Sequence, residues 1–154
     1  MDYDDQEVIK EAIEVKEKKG FEAMKLAIER YIFSWREEIE GLDPEDESYT
    51  SLQKALVSIT IYFASECRTN KQEKTAEEAF IDGCNDDHTK TSSRLWNEFA
   101  RFFEDLGRPT DSEKVGVGAK VTARATNHRL SNAHFSALPS LISALAPSDL
   151  SRRS

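Results

Sequence analysis

A chain of 154 residues, 38% hydrophobic and 32% charged with a net charge of −8, has the composition of a water-exposed globular protein that buries a core without disulfides or a structural metal. Its apolar runs fall far short of the roughly 20 residues that cross a bilayer, so no membrane partner is expected, and the acidic start Met1-Asp-Tyr-Asp-Asp lacks the basic character of an export or transit signal. The charge is unevenly spread: residues 1–113 hold 28 acidic and 15 basic side chains, a net −13, whereas residues 114–154 hold 1 and 6, a net +5.

In chain order, Val8, Ile9, Ala12, Ile13 and Val15 recur among Glu and Lys at helical spacing. This predicts an amphipathic helix over residues 5–19, ended or kinked by Gly20. From Phe21 the stripe Met24, Ala27, Ile28, Tyr31, Ile32, Trp35 and Ile39 predicts a second helix of about 20 residues, which Gly41 and Pro44 terminate. A third helix is expected to begin near Ser48, with Tyr49, Leu52, Leu56, Ile59, Tyr62, Phe63 and Cys67 on one side. Ala55, Val57 and Ile61 widen that stripe, so burial on more than one face is expected. Residues 68–74 read as a loop, Thr75-Ala-Glu-Glu78 as a capping box that opens a short helix through Phe80 and Ile81, and residues 83–90 as another loop. Ser92 or Ser93 then caps a helix that points Leu95, Trp96, Phe99, Phe102, Phe103 and Leu106 inward, with Gly107-Arg-Pro109 as its stop.

Beyond that stop two patterns compete. Thr110-Asp-Ser-Glu113 is a capping box, yet Val115, Val117, Ala119, Val121, Ala123 and Ala125 alternate with more polar or smaller neighbours as a strand does. No other segment reads as a mate for such a strand, so helix or irregular structure is favoured over a strand or hairpin. Residues 127–138 and 139–146 read as two short helices, with Pro139 in a first turn, and residues 148–154 as a disordered tail. The expected fold is all-α. A helical bundle of four to six helices occupies residues 5–107, and a less regular basic arm or subdomain over residues 108–147 packs on it.

The histidines and cysteines supply the candidate chemistry. In Arg129-Leu-Ser-Asn-Ala-His134 a histidine that exchanges protons near neutral pH follows an arginine suited to a phosphate oxygen. The segment resembles the R-x4-6-H motif of HEPN-type ribonucleases, with Leu130 where a polar residue commonly follows the arginine. The resemblance implies RNA cleavage, with Arg129 and His134 as catalytic residues. Cys84-x3-His88, read as a loop, offers half a metal site that Cys67 or His128 would have to complete, but paired Cys-x2-Cys spacing is absent and Cys67 falls on an apolar stripe. Both cysteines are therefore read as structural thiols of a cytoplasmic protein, and no metal or cofactor is expected. Gly116-Val-Gly118 lies between Lys114 and Lys120 without the remainder of a phosphate-binding loop.

Lys114, Lys120, Arg124 and Arg129 form the candidate ligand-binding set. They suit a nucleic-acid adaptor acting through residues 114–129, although the −13 of the preceding residues opposes phosphates. Phe135, Leu138, Leu141, Ile142 and Leu145 form an apolar stripe that must be covered by the bundle, by a protein partner or by a second copy in a homodimer. The leading expectation is a non-enzymatic protein-binding or regulatory protein acting through a helical surface and a basic C-terminal segment. The HEPN-like ribonuclease and the nucleic-acid adaptor are the alternatives.

Overall fold

The Asp4 carboxylate accepts hydrogen bonds from the backbone N–H groups of Gln6 and Glu7 at 3.0 and 3.3 Å and so opens the first helix at its acidic end. A computed structural model describes residues 3–128 together with Ile142, Ser143 and Leu145. Its elements are α1 (Asp5–Lys19), α2 (Phe21–Glu40), α3 (Glu47–Thr69), α4 (Glu73–Asn85), α5 (Ser93–Asp105) and α6 (Pro109–His128). Among the described residues there is no strand, and no helix is long and apolar enough to cross a membrane. The protein is an all-α helical bundle, as its periodicity predicts. The chain divides into two units, Met1–Ala76 and Glu77–Ser154, and each is described by itself.

In the first unit α1, α2 and α3 pack pairwise. Gly20 joins α1 to α2 as a single residue at φ +92°, a conformation open to glycine, while its N–H caps the Lys16 carbonyl at 2.9 Å. The core gathers Val8 from α1, Trp35 and Ile39 from α2, and Leu52, Ala55, Leu56 and Ile59 from α3. Tyr3 and Tyr31 stand edge-on to Trp35 with ring centroids 5.9 and 6.0 Å away, an arrangement that adds about 1 kcal/mol each beyond area burial. Their hydroxyls donate to Glu38 and Glu11 at 2.6 Å, and the Glu38 bond pushes the Tyr3 hydroxyl up to about 12. The buried residues of α3 run from Leu52 to Cys67 and cover about 200° of the helix at 3.6 residues per turn, which is the broad burial that its wide stripe predicts.

The connection after α3 corrects the sequence reading. Gln72 N–H donates to the Cys67 carbonyl at 2.7 Å and Lys71 N–H to that of Arg68 at 3.0 Å, with Lys71 left-handed at φ +63°. This Schellman turn links α3 to α4 through only three residues, 70–72. Hence α4 starts at Glu73, and the expected capping residue Thr75 lies inside its first turn. At the other end α4 continues through Gly83 and Cys84 to Asn85 where a loop was expected, because the buried Cys84 side chain offsets the helical cost of one glycine.

In the second unit Phe80 of α4 stacks on Phe99 of α5 at 5.0 Å, and Phe102 and Phe103 complete the aromatic cluster. Ser92 Oγ accepts from Leu95 N–H at 3.3 Å, the expected cap. Another Schellman turn ends α5: Gly107, at φ +73°, donates to Glu104, and Arg108 donates to Phe103. Pro109 then opens α6, so the Thr110 capping box is not used, and residues 114–126 are helical rather than strand. Val115 and Ala119 of the alternation recur with Thr122 at helical spacing, and these three are among the residues buried in α6, which packs on α5. The closest approach is at Gly118. A Cβ built there would lie 2.6 Å from Trp96 Cζ3 and 2.7 Å from Cδ2, inside the indole.

The helices expected over residues 127–138 and 139–146 and the tail over 148–154 lie largely outside the described residues. Asn127 and His128 finish α6, and Leu145 N–H donates to the Ile142 carbonyl at 3.1 Å.

Three substitutions test this geometry by urea denaturation. Gly118→Ala is expected to destabilise by about 1–3 kcal/mol through overpacking against Trp96, whereas Gly116→Ala, which meets nothing within 4 Å, should stabilise the helix by about 1 kcal/mol. Lys71→Gly should stabilise by about 0.5–1 kcal/mol by relieving a left-handed non-glycine residue. Equal effects at positions 116 and 118 would contradict the close approach of α6 to Trp96.

Candidate functional site

Helix α6 carries the basic residues singled out in the sequence. Packing its Val115, Ala119 and Thr122 side inward turns Glu113, Val117, Lys120 and Arg124 outward, and all four are exposed. Lys120 and Arg124 are one turn apart on that face. Lys114 is half-buried and lies roughly 100° around the helix from them at 3.6 residues per turn. The fold thus brings two members of the set together and sets the third aside. Arg129 lies outside the described residues, as do His134 of the ribonuclease-like motif and Phe135, Leu138 and Leu141 of the apolar stripe. Ile142 and Leu145 are half-buried.

Helix α2 carries a surface that the sequence reading passed over. Its inner side is Met24, Ile28, Trp35 and Ile39, and on the opposite side Leu26 is 54% and Phe33 65% exposed. Seven residues separate them, two turns or about 10 Å along one face. Arg30, Glu37 and Glu40 are exposed on the same side. The signal was present in the sequence as two large apolar residues at heptad spacing off the main stripe, but a search for the core stripe alone discards it. Among the described residues no ion pair engages Arg30, Glu37, Lys120 or Arg124.

Among the described residues, a cluster of charge with two buried carboxylates lies in the second unit. Arg108 donates from Nε to Asp111 at 2.8 Å and from Nη1 to Glu77 at 3.0 Å, and its guanidinium lies 4.4 Å from the centroid of the Phe103 ring. The Glu77 and Asp111 side chains are only 9% and 4% exposed. Burial raises the Glu77 carboxyl above the ordinary carboxylate range, partly offset by Arg108. Both carboxylates pair with one guanidinium, so the cluster ties α4 to the start of α6.

The two thiols are equally occupied with structure. Cys67 and Cys84 are free and buried. Burial pushes the Cys67 thiol up to about 11 and raises that of Cys84, so at neutral pH both stay protonated and are poor nucleophiles and poor metal ligands. Cys84 sits inside α4 rather than in the expected loop with His88. No group of three metal-ligating side chains occurs among the described residues.

Removing Arg108 leaves two buried carboxylates without their cation. Arg108→Ala is expected to cost about 3–5 kcal/mol in urea denaturation, and Glu77→Gln/Asp111→Asn in the same chain should recover most of it. Because the folded-state pKa of Glu77 is raised, its contribution is full below the unfolded-state value and is lost as pH rises through the folded one. Wild-type stability relative to Glu77→Gln should therefore fall between acid and neutral pH. A relative gain over that range would mean that Arg108 outweighs burial. No family model matches this chain, and neither does any curated protein or solved structure.

Proposed function

We propose that this chain is a non-enzymatic protein-binding or regulatory protein that acts through the exposed faces of its helices, with the basic C-terminal segment as part of the binding apparatus. The observation that carries the reading is the pair Leu26 and Phe33. Large apolar side chains left singly on a surface are common, but two at heptad spacing on the side of a helix opposite its core form an anchor pattern for another helix. An exposed phenylalanine is the kind of residue that concentrates binding energy when a partner desolvates it. The surrounding charges supply a polar rim that steers encounter and sets register.

The reading is tested with the purified full chain as bait, comparing wild type with Leu26→Asp/Phe33→Asp. Circular dichroism and thermal stability should stay near wild type, since both sites lie outside the core, with shifts of about 0.5 kcal/mol or less. Captured proteins should be lost. Retention of the same proteins by the variant would overturn the assignment of the α2 face.

A further inference from the structure

Of the four large apolar residues most exposed among the described ones, Ile13, Leu26, Phe33 and Val117, three fall on the outer faces of α2 and α6. These two faces carry complementary patterns. Along α2 the order is Arg30, Phe33, Glu37, Glu40: cation, apolar, anion, anion. Along α6 it is Glu113, Val117, Lys120, Arg124: anion, apolar, cation, cation. All eight residues are exposed. The α2 positions are spaced 3, 4 and 3 apart and the α6 positions 4, 3 and 4, so each set stays within about 80° of its helix surface and spans ten or eleven residues, about 15 Å. Laid parallel with Phe33 beside Val117, the helices bring Arg30 to Glu113, Glu37 to Lys120 and Glu40 to Arg124, each within one residue rise of perfect alignment. In the same register Leu26 falls near Pro109 at the start of α6.

We propose that the occupant of the α2 face is a second copy of this chain, which pairs the Glu113-Val117-Lys120-Arg124 stripe of its α6 in parallel with Arg30-Phe33-Glu37-Glu40. This rests on the protein-binding reading of α2 and names the partner. Pairing of α2 with the α6 of its own chain would leave the mass at one chain at every concentration, so the oligomeric state separates it from pairing between copies. The opposite signs favour this register: the antiparallel alignment on the same apolar pair sets Glu113 against Glu37. Every copy carries one stripe of each kind, so the contact either closes reciprocally between two copies or extends into a longer series. Phe33 and Val117 contribute the desolvated centre, and the three ion pairs at the rim select the register and make association sensitive to salt.

The test uses two charge-reversed full-length variants, Glu37→Lys/Glu40→Lys and Lys120→Glu/Arg124→Glu, each checked for wild-type helicity. In sedimentation equilibrium over a concentration series, the wild-type mass should rise to that of two chains or more, and should fall back at high salt. Each variant alone should remain a single chain. Mixed together they should recover the wild-type mass, because each α2 stripe then meets an α6 stripe of opposite sign. A misfolded variant cannot produce that rescue. A wild-type protein that stays a single chain, variants that associate as wild type does, or a mixture that fails to associate would each overturn the proposal. If wild type stays single while Leu26→Asp/Phe33→Asp still loses captured proteins, self-pairing alone fails. If that double variant changes neither association nor capture, the binding reading of α2 falls with it.

Discussion

The second unit depends on one close approach, that of the α6 backbone to the indole of Trp96. Trp96 is fully buried and donates from Nε1 to the Lys90 carbonyl at 2.7 Å, so its ring is anchored at the nitrogen and has little freedom to yield. Only a residue without a side chain can lie over it, and that residue is Gly118. Once position 118 is set against the ring, the rotation of α6 about its own axis follows. Val115, Ala119 and Thr122 must face inward, and Glu113, Val117, Lys120 and Arg124 must face outward. Thr122 satisfies its buried hydroxyl by donating to the Gly118 carbonyl one turn back. The arrangement of charge on the outer surface is thus a consequence of an apolar constraint on the inner one.

Turn geometry distributes that constraint along the chain. The Schellman turn at Gly107 places Arg108 directly over Phe103, its usual apolar contact across such a turn, and aims the guanidinium at Glu77 and Asp111. The same turn chemistry at Lys71 is achieved without glycine, at a cost in backbone strain. Buried carboxylates on a single guanidinium stabilise weakly in net terms, since desolvation cancels most of the attraction. Their effect is on specificity: a rotation of α6 that broke the cluster would leave two buried charges unpaired.

Helices α1, α2, α3 and α5 were legible in the sequence from their apolar periodicity. Gly20, Ser92 and Gly107 mark helix ends by local hydrogen bonding and backbone freedom, which depend on a few neighbouring residues. The misread ends share another origin. Thr75 and Thr110 each begin an S/T-x-x-E pattern, but a preceding Schellman turn had already started the next helix, and the motif was left inside it. The alternation in residues 115–125 left helix and strand in competition for a related reason: a period of two and a period near 3.5 overlap in this segment, and local propensity does not choose between them; the reading that favoured helix or irregular structure is met by a helix. The surface on α2 was overlooked because Leu26 and Phe33 lie off the stripe that defines the core.

The sequence by itself determined that this protein is all-α, where most of its helices lie, which residues line their inner faces, and that its charge changes sign near Lys114. These properties follow from periodicity and capping, both of which act over a few residues. Tertiary structure decided the state of residues 114–126, the burial of Glu77 with Asp111, and the separation of Lys114 from Lys120 and Arg124. Each depends on what a helix meets across a distance in sequence, and at α6 the decision came from the fit of a glycine against a tryptophan twenty-two residues earlier.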